Sequence, residues 1–290
     1  MPKTLAAAIA VAGLTLTTAC AQNIFVSNNG NSTVSEFSSS GTLLGTLSSG
    51  LDAPIGLAFD SSGNLYVANY SSHTVSEFSS SGASLGTFAS GLNAPGALAF
   101  NSSGNLFVGI FGNNTVTELS PTGSSLGTFA SGIDGVRGLA FNSSGDLFVA
   151  NYGNGTVSKF SPTGTSLGTF ASGLTDPSGL AFDSNGNLYV ANNDLVSEFS
   201  STGASLGTFV SGLDGPTGLA FDSSGDLYVE NIGNDTVSEF SSTGTSLGTF
   251  ASGLNAPEYI AISTVPEPSA FALAGLGLAA LLRLRHRFSN

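Results

Sequence analysis

One cysteine in 290 residues excludes a disulfide-stapled scaffold, and two histidines leave no material for a His-rich metal site. Tryptophan is absent. Basic residues are scarce: 6 Lys plus Arg stand against 19 Asp plus Glu, a formal charge of -13 that phosphate backbones would repel, so nucleic acid is a poor candidate partner. Charged residues of both signs amount to 9% where about a quarter is usual. What is plentiful is glycine, 39 residues or about twice the ordinary share, together with 21 Phe, which points to turns and packed strands rather than helices. Length alone allows one or two domains; internal repetition decides for one.

The two ends read as targeting segments. Lys3, the apolar run Leu5 to Leu16 and Ala19-Cys20-Ala21 have the layout of a secretory signal (1–21) cleaved after Ala21, leaving Gln22 first and removing the sole cysteine. Cys20 is alternatively a lipidated cysteine, although Thr17 stands where such signals carry an aliphatic residue. At the other end (264–290), Pro266-Glu267-Pro268 precedes an apolar stretch Ala270 to Leu282 and a basic cluster Arg283-Leu284-Arg285-His286-Arg287. Those 13 apolar residues are short for a span of about 20, which suits a transient inner-membrane helix better than a permanent one. The triplet, short apolar stretch and arginine-rich tail, in that order, resemble the PEP-CTERM sorting signal of Gram-negative bacteria. The resemblance implies an exosortase as processing partner, cleavage near Pro-Glu-Pro, and a final location in the cell envelope or outside the cell, in organisms that make extracellular polysaccharide. An ordinary C-terminal membrane anchor is the alternative.

Between the ends one unit recurs. Leu-Ala-Phe begins at Leu57, Leu98, Leu139, Leu180 and Leu219, and Ile260-Ala261-Ile262 follows 41 residues after the last. Segments of the forms Leu-Tyr/Phe-Val (from Ile24), Thr-Val-Ser-Glu-Phe (from Thr33) and Leu-Gly-Thr-Phe (from Leu44) each occur six times as well. All are short and rich in Val, Thr, Phe and Tyr, and Ser-Ser-Gly, Asn-Gly or Ala-Pro bounds them, so each reads as a strand. Four strands in about 41 residues is a propeller blade. The phase adds closure: the mature chain begins with a second strand (Ile24) and ends with a first strand (Ile260), so the termini share one blade. The expectation is an all-β, six-bladed β-propeller of four-stranded blades over residues 22–263, its ring closed by pairing of the N- and C-terminal strands. The unit Gly56 to Asn69 resembles the NHL repeat and the wider six-bladed superfamily that also holds SMP-30 type lactonases and virginiamycin B lyase type enzymes. That resemblance implies architecture more than activity.

Chemistry-bearing residues are few. Between Gln22 and Ser263 the only histidine is His73 and the only basic residues are Arg137 and Lys159, so no Ser-His-Asp set can be assembled; His73 reads as a plain surface residue. Zincin, Walker A and Cys/His patterns are absent. A lactonase-like member would need a metal at the channel mouth, which directs attention to blades that break pattern there. Position 55 is Ile55 and becomes Gly96, Arg137, Ser178, Thr217 and Glu258; position 68 is Ala68 and becomes Ser27, Gly109, Ala150, Ala191 and Glu230. Arg137 (fourth blade) and Glu258 (first) are expected to face each other across the channel, with Glu230 (sixth) one blade from Glu258. These three form a candidate mouth site for a small polar ligand or Ca²⁺, the one cofactor the residues leave open; drift on a solvated rim is the plain alternative. Asp183-Ser184-Asn185-Gly186-Asn187 matches half a Ca²⁺ loop but has Gly fourth rather than sixth. Glu36, Glu77, Glu118, Lys159, Glu198 and Glu239 put a charge on every third strand, read as solubility and edge protection, with divalent bridging to acidic polysaccharide as the sharper option. The functional expectation is a non-enzymatic envelope propeller that binds extracellular polysaccharide or a cell-surface protein. The alternative is a metal-dependent lactonase or lyase; ice binding is disfavoured because a ring lacks a flat threonine array.

Overall fold

The structure is a computed structural model that describes residues 21–265; the signal segment and the sorting tail lie outside the described residues. The described chain forms 24 strands in six four-stranded sheets. In each sheet the strands follow chain order from the channel outward, and the first sheet runs last strand, first strand, second, third. The closing strand is Pro257–Val265, two residues longer than the repeats indicate, and it ends where Pro266 removes the next ladder donor. Its pairing with the N-terminal strand is antiparallel: Asn29 N–H donates to the Ala256 carbonyl (3.1 Å) at one end and the Ser263 hydroxyl to the Asn23 carbonyl (3.3 Å) at the other. The ring therefore closes as its phase requires.

Register repeats with the sequence. In the second blade Leu57 pairs Val67 and Ala58 pairs Tyr66, while a bulge falls between Pro54 and Leu57. The same shift recurs between Pro95 and Leu98, Val136 and Leu139, and Pro216 and Leu219. A bulge frees its residues from the ladder and re-aims them, and here it releases positions 55 and 56, next to the channel.

Blades are knit together by aromatics. The second-strand ring of a blade sits between the outer-strand Phe of that blade and the inner-strand Phe of the next: Tyr66 meets Phe88 and Phe100 edge to face at 4.8 and 4.9 Å, and Phe148 meets Phe170 and Phe182 at 4.7 and 5.0 Å. Edge-to-face contacts add to the area each ring buries, which accounts for 21 Phe in a chain without Trp.

The charged ring on the third strands has a structural task beyond solubility. Glu77 and Glu239 accept the hydroxyls of Tyr66 (2.9 Å) and Tyr228 (2.8 Å), whose pKa values burial and the neighbouring carboxylates push up. Glu36, Glu118 and Glu198 accept amides from Asn23, Asn105 and Asn187. Where Lys159 replaces Glu, Asp146 replaces Asn and the two pair at 2.9 Å. Asp183 Oδ1 accepts the backbone N–H groups of Asn185 (2.9 Å) and Asn187 (2.8 Å), the turn-stapling also seen at Asp60, so the half calcium loop is a hairpin turn. His73, exposed and at positive φ, accepts the Ala94 N–H on Nδ1 at 2.9 Å; Ser32 and Asp235 do the same for Ala53 and Ala256. It is a link between blades rather than a plain surface residue.

Candidate ligand site at the channel mouth

The mouth is built from inter-blade loops and from the turns joining second to third strands. Arg137, on the bulged inner strand of the fourth blade, and Glu258, on the closing strand of the first, meet across the channel, with Nη1 and Oε2 3.7 Å apart. The Arg137 guanidinium also lies over Phe111 (4.9 Å) and Tyr152 (5.2 Å), so it is held in a cation–π bracket. Partial burial raises the Glu258 pKa and the Arg137 charge opposes that rise.

Glu230 is not at the mouth. Its side chain is wholly buried, as are Ser27, Ala68, Ala150 and Ala191 at the matching position, because second-strand side chains there point under the inner strands rather than to the rim. Neither Glu230 carboxylate oxygen has a hydrogen-bond partner. Burial pushes its pKa well up, the Glu258 charge adds to the shift, and the Gly218 backbone, approaching without completing a hydrogen bond, opposes both. The structure thus joins Arg137 with Glu258 and leaves Glu230 beneath them, against Gly218 of its own blade.

Tyr259 is the site residue the sequence reading misses. The matching positions are Gly56, Ala97, Gly138, Gly179 and Gly218. A Cβ on Gly56, Gly138 or Gly179 would strike a backbone carbonyl of the next blade, which shows how tightly the inner strands converge. On the closing strand a full tyrosine is accommodated instead. Its ring packs on the cores of both the first and fourth blades, and its hydroxyl donates to the Arg137 carbonyl across the channel. Ser27 ties its backbone, accepting the Tyr259 N–H (3.0 Å) and donating to the Ile55 carbonyl (2.7 Å). Burial chiefly raises the Tyr259 hydroxyl pKa. The signal was present in the repeat: aligning one position further on shows a tyrosine among glycines, whereas attention to charge alone passes over it.

A second missed feature is an aromatic half-ring. Tyr70, Phe111 and Tyr152 follow the second strands of three successive blades, where the others carry Asn29, Asn193 and Ile232. Tyr70 and Tyr152 are 41% and 42% exposed, and Phe111 folds over Gly96, where a Cβ would collide with its ring. Tyr70, Ser71, Phe111, Arg137, Glu258 and Asn29 line a depression of about 410 Å³.

A channel metal of the lactonase kind does not fit these residues. The Arg137 guanidinium already faces the Glu258 carboxylate, and among the described residues no three His, Cys, Asp or Glu side chains are grouped to hold an ion.

Comparison with known proteins agrees with this architecture. Residues 51–78 match the NHL repeat, 165–191 a β-propeller repeat and 264–287 the PEP-CTERM protein-sorting motif. No curated protein matches. Among solved structures, the nidogen/laminin complex superposes with a TM-score of 0.75 at 17% identity, over 83% of this chain and 98% of that one. A Bacteroides caccae protein of unknown function gives 0.67 at 17%, with the same coverage. A Xanthomonas campestris gluconolactonase gives 0.64 at 22%, over 72% and 79%. At these identities the likeness shows the fold alone. The chain is a six-bladed β-propeller in which one stretch matches the NHL repeat and another a β-propeller repeat, and its PEP-CTERM motif indicates export to the envelope or beyond with processing by exosortase-type sorting machinery. Among the described residues no helix is long and apolar enough to cross a membrane.

Proposed function

We propose that this propeller is a non-enzymatic binding module of the cell envelope, processed by an exosortase, that holds an extracellular polysaccharide or surface protein at its channel mouth. The observation that carries this reading is the mouth itself. Tyr259 and the Arg137–Glu258 pair occupy the axis where a metal-dependent member needs an open, carboxylate-lined channel, while Tyr70 and Tyr152 beside them remain exposed. The strand directions support it too. Asn23 and Ser263 lie together at the hairpin-turn end of the first blade, where Gln22 also accepts hydrogen bonds from Ser223, so both ends of the described chain leave from the face opposite the mouth.

The test is paired. Full-length chain, purified in a detergent without a sugar headgroup, is passed over an array of polysaccharides and envelope proteins, and is separately assayed for lactone hydrolysis and polysaccharide lysis with Ca²⁺, Mg²⁺ or Zn²⁺. Capture that Arg137→Met weakens supports the reading. Metal-dependent turnover abolished by Glu258→Gln would replace it with the enzymatic one.

A further inference from the structure

Accepting the mouth as the binding face, we infer that its ligand is an uncharged pyranose unit of a glycan, stacked on Tyr70 with its hydroxyls bridging Arg137 and Glu258. The bridging follows from the ion pair. At 3.7 Å the Nη1 to Oε2 separation exceeds hydrogen-bond range, and among the described residues neither the guanidinium nor the carboxylate makes a hydrogen bond elsewhere. Five N–H donors and a carboxylate's lone pairs thus sit side by side unused, with the Arg137 side chain 34% exposed. A ligand that satisfies both must donate and accept within a few ångströms without carrying charge. Adjacent hydroxyls do so, whereas a ligand carboxylate would be repelled by Glu258 and an ammonium by Arg137.

The stacking follows from the rim. The Tyr70 ring is 41% exposed, lines the depression and packs against Phe111 at 6.0 Å, so an aromatic surface is open to a ligand there. A pyranose has an apolar C–H face to lay on such a ring and a hydroxyl edge to turn toward the ion pair; an open-chain polyol has no such face. Charge disfavours the polyanionic alternative: Asp52, Asp134, Asp176, Asp194 and Asp214 are exposed on the mouth loops, and among the described residues only Arg137 opposes them there, so an acidic polymer approaches against the field. A depression of about 410 Å³ lies at the small end of the range for small-molecule sites.

Full-length chain in sugar-free detergent is titrated calorimetrically with neutral gluco-, galacto- and manno-oligosaccharides, with oligogalacturonate, and with oligomers of deacetylated glucosamine. The expected result is binding of a neutral series that changes less than twofold between low and high salt. Tyr70→Ala and Arg137→Met each weaken it about tenfold or more, and Leu85→Ala on an outer strand leaves it unchanged. Thermal unfolding checks that each variant is folded, and Tyr70, on the rim, is the safer of the two. Salt-sensitive binding of the uronate or the aminosugar alone, lost in Arg137→Met, overturns the neutral-sugar assignment and leaves the mouth reading standing. Neutral-sugar binding untouched by both variants overturns the mouth reading as well. Binding of none of these sugars overturns the inference.

Discussion

Glu230 occupies a slot that Ala68, Ala150 and Ala191 fill in other blades, so the sixth blade buries a carboxyl group that its neighbours do without. A raised pKa in the folded state means the fold favours the protonated acid. The contribution is therefore greatest below the unfolded value of about 4.3 and is lost as pH rises through the window up to the folded pKa, above which it stays constant. Glu258 shifts in the same direction, but Arg137 opposes it. Urea unfolding from pH 4 to 8 should show stability falling with pH in wild type and a shallower fall in Glu230→Gln; equal slopes would remove Glu230 as the cause. Legibility at this scale was partial. Arg137 and Glu258 stood out because a charge among neutral residues is visible in any repeat alignment. The burial of Glu230 was not, because strand alternation says which face a residue takes and not how close the next blade comes. Tyr259 follows the same logic: its hydroxyl and ring span the channel, so Tyr259→Phe should cost about 1 kcal/mol for the lost hydrogen bond. Tyr259→Gly, the residue of four other blades, should cost about 3–5 kcal/mol for the lost aromatic core, as read from denaturant midpoints.

At the scale of the element, strand count, order and closure were legible because each strand carries its own turn residues and the repeat's phase is out of step with the chain ends. The bulges were not. An extra residue changes the ladder without changing composition, and the tight approach that makes position 56 glycine belongs to neighbouring blades. The third-strand ring was legible as charge but not as bonding, since the partner in each blade is a Tyr, Asn or Asp some 11 to 13 residues upstream. The fourth blade tests that pairing. Lys159→Glu sets a carboxylate against Asp146 and should destabilise by about 0.5–1 kcal/mol, while Asp146→Asn with Lys159→Glu restores the pattern of Asn105 and Glu118 and should recover most of the loss. Additive costs in the double-mutant cycle would mean that the two exchanges are unrelated. The closing strand carries more. Deleting Tyr259 to Ser263 uncovers the edge of the N-terminal strand and removes the Tyr259 and Ser263 ties, so unfolding should lose cooperativity; unchanged thermal unfolding would sink ring closure as the source of stability.

The molecule as a whole joins an address to a ring. The closing strand runs to Val265, and the sorting motif match begins at residue 264 with its Pro-Glu-Pro triplet starting at Pro266, so the segment that seals the propeller overlaps the start of the one that directs its export. Pro266, the residue after the strand, has no N–H to offer a ladder. The 13 apolar residues behind the triplet, followed by arginines, can halt transfer without specifying release, which makes the triplet the element to test. Replacing Pro266-Glu267-Pro268 by three alanines should therefore leave the uncleaved chain in the inner-membrane fraction of its source cell, while wild type is recovered shortened in the envelope or medium. Fractionation with an antibody to the propeller, and intact mass of the product, make the measurement. The folded ring should be equally stable in both, since the triplet lies beyond the last strand, and a melting curve separates a sorting defect from a folding defect. Normal release of the alanine variant, with the same shortened mass, would show that the motif is not what directs this propeller outward.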